Sequence, residues 1–520
     1  MKKSLFPRLA LMAVLMAFVS ACSQKQPEYT NVIPADATVV ASINMKSLAD
    51  KAGLNDKENK DVKQKLVDAL KDGMNAATFQ QVETIMKDPQ KSGIDVTAPL
   101  YIFNSESFPY PSIVAKVSNE GDLHAVLETL EKEKVCQPIS SGDGYQFTLM
   151  GNQAFMAYTP STLILVNYQG NTQLEKIKQG LPALLKQTGE NSIVSKAAFK
   201  KMQKTSGDID VLFTPGSLIG GAYSSQLNFG MPKGVDMKDF QVIASTSFDK
   251  GKISMKYSCY TENPELQAML EKQLKATSPI ENTYLKYFPK STLMLISAGV
   301  NGEEIYNLLL ENEEFQKNFS IAKANEVKEL FGTFQKDITA GLINVTMNDA
   351  APTFLLYANV KSATPVQMLY EKKSELGLKR GEDILKLGEN EYVYKSRMMN
   401  VFFGVHGNNL YATNDELMYK SIDKTMDPSA KDTEYASTIK GKNCAFVLNA
   451  EAVLALPVVK MMGEYGGAQY ATAITLADKV AYMEIVSSSD NNAELVIQLK
   501  DKDVNALKQI VDFIKGFAGI

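Results

Sequence analysis

The stretch Val242-Ile-Ala-Ser-Thr-Ser-Phe248, Asp249-Lys-Gly251, Lys252-Ile-Ser-Met-Lys-Tyr-Ser-Cys-Tyr260 decides the fold. Two alternating, β-branched runs flank a three-residue turn signal, which predicts a β-hairpin. Leu266, Leu270 and Leu274 follow at four-residue spacing and predict a helix. The chain closes on the same succession. A strand over 481–487, a turn at Asp490-Asn491-Asn492 and a strand over 494–500 precede a helix carrying Leu507, Ile510 and Ile514. Strands joined by tight turns, with helices packed against them, predict an α+β fold built on mainly antiparallel sheets, not a doubly wound parallel sheet.

Working outward, the two endings are one pair among five collinear matches. Ile33-Pro34-Ala-Asp-Ala-Thr-Val-Val-Ala-Ser42 aligns with Phe288-Pro289-Lys-Ser-Thr-Leu-Met-Leu-Ile-Ser297. Val114-Ala-Lys-Val117 aligns with Tyr357-Ala-Asn-Val360, Tyr145-Gln-Phe147 with Tyr392-Val-Tyr394, and Leu163-Ile-Leu-Val-Asn167 with Leu410-Tyr-Ala-Thr-Asn414. Ile253–Tyr257 aligns with Ala493–Ile497. Repeated order of this kind implies an internal duplication. The domains expected are a first repeat over 31–279 and a second over 280–520. The turn residues of 276–283 serve as the linker.

Within the first repeat, strands are expected at 38–43, 101–103, 113–117, 145–149, 154–158, 163–167 and 211–214. Helices are expected at 63–86, 122–132 and 174–187, where Pro182 marks a kink or restart. The three strands over 145–167 have the short gaps of an antiparallel meander.

The N-terminus carries a separate message. Lys2, Lys3 and Arg8 precede an apolar run over 9–19, too short for the roughly 20 residues of a membrane span. Basic flank, short apolar core and small residues predict a cleaved signal over 1–21. Val19-Ser20-Ala21-Cys22 resembles a bacterial lipobox, which implies lipidation of Cys22 and a new N-terminus there. One acyl chain holds a protein at a membrane only marginally, whereas two or more hold it stably. Residues 22–30 read as a polar tether. Ser23 after the lipidated cysteine points to the outer membrane by analogy with other two-membrane bacteria, and the membrane face stays open.

The chain has 520 residues, 45% hydrophobic and 22% charged, with net charge −4, which suits globular domains and argues against non-specific nucleic-acid binding. Cys136, Cys259 and Cys444 remain beside Cys22. They cannot all pair internally, and Cys259 and Cys444 read as small buried hydrophobes. No Cys-x-x-Cys motif supports thiol redox chemistry or structural zinc.

No local motif identifies a reaction. His124 and His406 fall at non-equivalent places in the repeats, opposite Gln367 and Thr159, and neither has a metal-ligand cluster in sequence. Ser421–Lys424 and Ser437–Lys440 have Ser-x-x-Lys spacing, and Ser489-Asp490-Asn491 follows. The last is a turn signal, and no Lys-Thr-Gly comes after it. Gly216-Ser217-Leu-Ile-Gly220-Gly221 lacks both the dinucleotide fingerprint and the Walker lysine. Glu303-Glu304 and Glu313-Glu314 read as solvated helix faces. Trp is absent, so glycan stacking would fall to Tyr residues such as Tyr465 and Tyr470. Met398-Met399 and Met461-Met462 read as core filling. No catalytic, cofactor or metal residue is assigned, and Cys22 is the one site residue.

Tyr29-Thr-Asn-Val-Ile-Pro34-Ala-Asp-Ala-Thr-Val-Val40, just after the lipobox, resembles an uncharacterised lipoprotein family of gut Bacteroidetes, classed as a domain of unknown function. The resemblance implies a compartment and no chemistry. The expected function is a non-catalytic envelope lipoprotein, a binding or scaffold module held at the membrane through Cys22, with an unidentified envelope protein or ligand as partner. The alternative is a periplasmic hydrolase whose acidic or Ser/Lys site is assembled by folding.

Overall fold

A computed structural model describes residues 28–54, 76–151, 153–218, 237–311, 321–346 and 351–518. The signal, Cys22 and the tether as far as residue 27, the first part of the helix expected over 63–86, Gly220-Gly221 and Glu313-Glu314 lie outside them. Residues 28–30, read as the end of the tether, instead open the 3-10 helix Glu28–Val32, with Tyr29 and Thr30 buried because the Tyr29 ring packs on Tyr101. The chain forms two compact units. Among the described residues the first contains 28–218, 237–250 and 503–518, and the second contains 251–502.

In the first unit the strands are β1 (Ala37–Ile43), β2 (Leu100–Ser105), β3 (Ser112–Lys116), β4 (Ser140–Ser141), β5 (Gln146–Met150), β6 (Ala154–Tyr158), β7 (Thr162–Asn167), β8 (Ile209–Phe213) and β9 (Gln241–Asp249). All neighbours are antiparallel, in the order β4-β5-β6-β7-β3-β2-β1-β8-β9.

The second unit contains β10 (Lys252–Tyr260), β11 (Thr277–Ser278), β12 (Met294–Asn301), β13 (Phe334–Asn344), β14 (Thr353–Val360) and β15 (Asp383–Gly388). It continues with β16 (Glu391–Lys395), β17 (Asn400–His406), β18 (Asn409–Thr413), β19 (Cys444–Leu448), β20 (Val480–Ser487) and β21 (Asn492–Leu499). Its antiparallel order is β15-β16-β17-β18-β14-β13-β12-β19-β20-β21-β10, with β11 also on β12. Replacing β4 by β15, β3 by β14, β1 by β12, β9 by β20, and the others in step, turns the first order into the first nine strands of the second, which goes on to β21 and β10.

Local hydrogen bonds follow the sequence matches. Ile33 O accepts from Ile193 N at 2.9 Å, and Phe288 O accepts from Ala430 N at 2.8 Å. Val117 N donates to Ser161 O, and Val360 N donates to Asn408 O. Val114 pairs with Ile164, and Tyr357 pairs with Tyr411.

The strands expected at 154–158 and 252–260 occur with those limits, and the other strands fall within a few residues of expectation. The helix expected over 122–132 is Glu120–Lys132, and the one expected to carry Leu266, Leu270 and Leu274 is Pro264–Lys275; they are capped by Asn119 and Asn263, whose side chains accept backbone N–H bonds. A single helix, Gly170–Leu185, runs through Pro182.

The division of the chain differs from the one read at 279/280. Among the described residues the second unit runs from Gly251 to Lys502, between segments of the first, so it is an insertion into the first, and 279/280 falls inside it. Lys250 bridges Asn505 within the first unit. Within the second, a Cβ on Gly251 (φ +61) would lie 2.6 Å from Lys502 Cα, so entry and exit lie side by side. Closely spaced ends are what allow one domain to be inserted in another. The segment read as a linker is packed structure. Thr277–Ser278 pairs with β12, and Ile280 and Tyr284 are fully buried.

The first unit's helix Glu120–Lys132 places Leu123, Val126, Leu127 and Leu130 over Met156, Tyr158 and Leu163 of the sheet. In the second unit the sheet is covered on both faces. Tyr357 and Tyr411 point into one core with Tyr284 and Phe288, whereas Phe403 and Val405 point into another with Val366 and Ile384. Side chains alternate between faces along a strand, so neighbours such as Tyr411 and Ala412 serve different cores.

Candidate functional site

The second of those cores is not filled. A cavity of about 560 Å³ lies within the second unit, between the sheet and two helices, Ile321–Thr333 and Thr364–Glu371. The helix side contributes Leu330, Pro365, Val366, Met368 and Leu369, and the sheet side contributes Phe334, Val401, Phe403, Leu410 and Ala412. Pro365 opens the second helix in its first turn, where the missing N–H has no intrahelical partner to lose. Val366 and Phe403 form a buried floor, while Leu369 and Leu376 are 43% and 46% exposed. The volume falls in the range of about 300–1,000 Å³ typical of small-molecule sites.

Lys372 is the one charged side chain in the wall. Its ammonium pairs with the Glu326 carboxylate on the neighbouring helix. That hydrogen bond, aided by Glu375 and Glu371, holds Lys372 above the usual lysine range. Lys373 is engaged elsewhere, by Asp383 Oδ1 at 2.8 Å and the Ile384 carbonyl at 2.9 Å.

A polar cluster occupies the other face of the same strands. His406 Nε2 meets the Glu391 carboxylate, and Nδ1 lies 3.2 Å from Asp423 Oδ2. The Tyr419 hydroxyl donates to Glu391 Oε2 at 3.3 Å, and the Asp423 backbone N–H donates to the Tyr357 hydroxyl at 3.1 Å. Burial works against the charged imidazole, but the two carboxylates outweigh it and raise its pKa. Both ring nitrogens therefore face acids, and neither is left to deprotonate a hydroxyl as a general base must. The cluster pins the turn holding Asp423 (φ +64) to the end of β17.

The other residues singled out in sequence take structural places. His124 Nδ1 lies 2.7 Å from the Tyr158 hydroxyl, and Nε2 lies 3.4 Å from Glu128. Ser421 and Lys424 share a backbone turn, Lys424 N to Ser421 O. The Ser437 hydroxyl donates to the Glu434 carbonyl at 2.9 Å, and Lys440 caps that short helix. Ser489-Asp490-Asn491 lies in the β20–β21 turn, where Asn491 has φ +59. Ser217 lies in the short helix Pro215–Leu218, and Glu303 pairs with Lys361 at 2.9 Å. Among the described residues no group of three His, Cys, Asp or Glu could hold a metal, and no helix is long and apolar enough to cross a membrane.

Two expectations about burial are corrected. Cys444 is exposed, because it lies on the face of its strand opposite the buried Ala445 and Val447, and Cys259 is half-buried. Met398 is 73% exposed, and Met399, Met461 and Met462 are exposed too, so these pairs do not fill a core. Tyr465, the last residue of the helix Pro457–Tyr465, is 81% exposed.

Residues 29–507 match the family described as Domain of unknown function (DUF4836). The chain belongs to that family. Among solved structures, the DUF4836 chain is similar to three crystal forms of TP0453. Form IV has TM-score 0.26 at 9% identity, covering 45% of this chain and 81% of that one. Forms III and I have TM-scores of 0.24 and 0.25 at 11% and 10% identity, each covering 50% of this chain and 90% of that one. No curated protein matches the sequence.

Sequence reasoning passed over the cavity, yet a signal for it exists. The aligned stretches place Ala412 opposite Leu165. Leu165 pairs with Met156 and packs in the first unit's core, while Ala412 pairs with Phe403 and lines the cavity. At one register position, three carbons are missing from the second unit.

Proposed function

We propose that this DUF4836 chain is a non-catalytic envelope lipoprotein, held at the membrane through lipidated Cys22, whose second unit binds a small apolar ligand in the cavity under Thr364–Glu371. The carrying observation is the composition of the wall: carbon side chains throughout, one lysine, and no convergent carboxylates or nucleophile. A hydrolase needs a nucleophile with a base in reach. The nearest His-carboxylate assembly faces the other side of the sheet with both nitrogens occupied.

The lipobox-like Val19-Ser20-Ala21-Cys22 supports the anchor, and Ser23 supports the outer membrane. The likeness of Tyr29–Val40 to a gut Bacteroidetes lipoprotein family fits that placement. The matching strand orders support a duplication in which one copy kept a filled core and the other acquired a ligand site. Titration of the full chain with N-phenyl-1-naphthylamine, a neutral apolar dye, tests the binding role. Wild type gives saturable, single-site fluorescence enhancement, and Leu369→Trp, which plugs the mouth, abolishes it. Equal enhancement in both proteins would remove the cavity from the account.

A further inference from the structure

We propose that the ligand is a fatty acid, its tail filling the cavity and its carboxylate replacing Glu326 on Lys372. This rests on the cavity being a ligand site. The wall selects the tail, because it offers no hydrogen-bonding side chain along its depth, and an unpartnered polar group on the ligand would be penalised there. The aliphatic and thioether side chains Leu330, Val366, Met368 and Leu369 conform to a flexible chain more readily than a rigid ring platform would. At roughly 30 Å³ per water-sized group, about 560 Å³ corresponds to about nineteen such groups, enough for a long acyl chain.

Charge selects the head. Among the described residues Lys372 is the one charged residue of the lining; it meets the cavity with its aliphatic stem, and its ammonium, beyond the apolar wall, holds a carboxylate from the neighbouring helix. The ligand's carboxylate can take that position without creating an unpaired charge at the protein's ammonium. Glu326, half-exposed, is released to water, where it needs no partner. A partly exposed ion pair of this kind contributes little to stability, so exchange is cheap. Lys373 cannot serve equally, since Asp383 and a backbone carbonyl fix it.

Displacement of N-phenyl-1-naphthylamine from the full chain by dodecanoate and by dodecanol reads the tail and the head separately. Dodecanoate is expected to bind about tenfold more tightly than dodecanol. Lys372→Met removes most of that advantage, weakening dodecanoate several-fold more than dodecanol. Glu326→Gln strengthens dodecanoate binding by freeing Lys372. Affinity rises several-fold from octanoate to dodecanoate as methylenes enter the cavity. Equal affinity of acid and alcohol, equal weakening of both by Lys372→Met, or weaker dodecanoate binding in Glu326→Gln would overturn the fatty-acid assignment. If the dye binds and neither chain displaces it, the fatty acid is excluded and the cavity reading survives. If the dye does not bind, both fail.

Discussion

Ala412→Leu is the substitution the two cores recommend. It restores, at the matching register, the leucine that the first unit carries as Leu165. Three added carbons buried at about 0.8 kcal/mol each give roughly 2.4 kcal/mol. Fixing the leucine rotamer costs about 0.5–1 kcal/mol, which leaves a gain near 1.5–2 kcal/mol. For a unit of this size each kcal/mol moves the midpoint by about 2–4 °C, so calorimetry should place the second unit's transition roughly 3–8 °C higher. The reciprocal change, Leu165→Ala, opens space in a filled core and should cost about 2–3 kcal/mol in the first unit. Ala412→Leu should also weaken binding of the apolar dye. A loss of more than about 1 kcal/mol in Ala412→Leu is the signature of overpacking and would refute the reasoning, because it would mean the space beside Ala412 is already occupied.

Three further outcomes follow from other parts of the chain. Asp208, 2% exposed, accepts from Ser47 Oγ at 2.5 Å, Lys51 Nζ at 2.8 Å and Phe248 N at 2.7 Å. Asp208→Ala strands all three donors and should cost about 3 kcal/mol in denaturant unfolding. The imidazole of His406 has a raised pKa against Glu391 and Asp423, so its contribution is full below about pH 6.5 and is lost as pH rises through the folded value. His406→Gln should therefore destabilise most near pH 5–6, by no more than about 1 kcal/mol given its exposure, with the gap to wild type closing in alkali; a gap that widens with pH would reverse the sign. Cys22→Ala should move the protein from the membrane fraction to the soluble fraction, and retention there would mean a second attachment.

The hairpins were legible because alternation and turn chemistry act over ten residues and need no partner to be recognised. The same holds for Glu120–Lys132 and Pro264–Lys275, whose leucine spacing and capping asparagines are local. The strand order of the two units was foreshadowed by collinear matches. The insertion of one unit into the other was not, because the crossing at Lys250/Gly251 sits inside an ordinary-looking turn. Turn residues over 276–283 suggested a linker, but Ile280 and Tyr284 supplied the burial that made it part of a core. Periodicity says that a face is apolar, not what covers it, so Met398 and Cys444 were misplaced. The cavity depends on volumes summed across two helices and several strands, and in sequence only the contrast of Ala412 with Leu165 reports it.

The central claim is that an apolar ligand enters the second unit beneath Thr364–Glu371. Amide hydrogen exchange of the full chain, with and without saturating N-phenyl-1-naphthylamine, locates the ligand directly. Slowed exchange confined to segments 330–334, 365–376 and 401–412 is the predicted result. Unchanged exchange there, with protection at the exposed residues 457–477 or in the first unit, would contradict it.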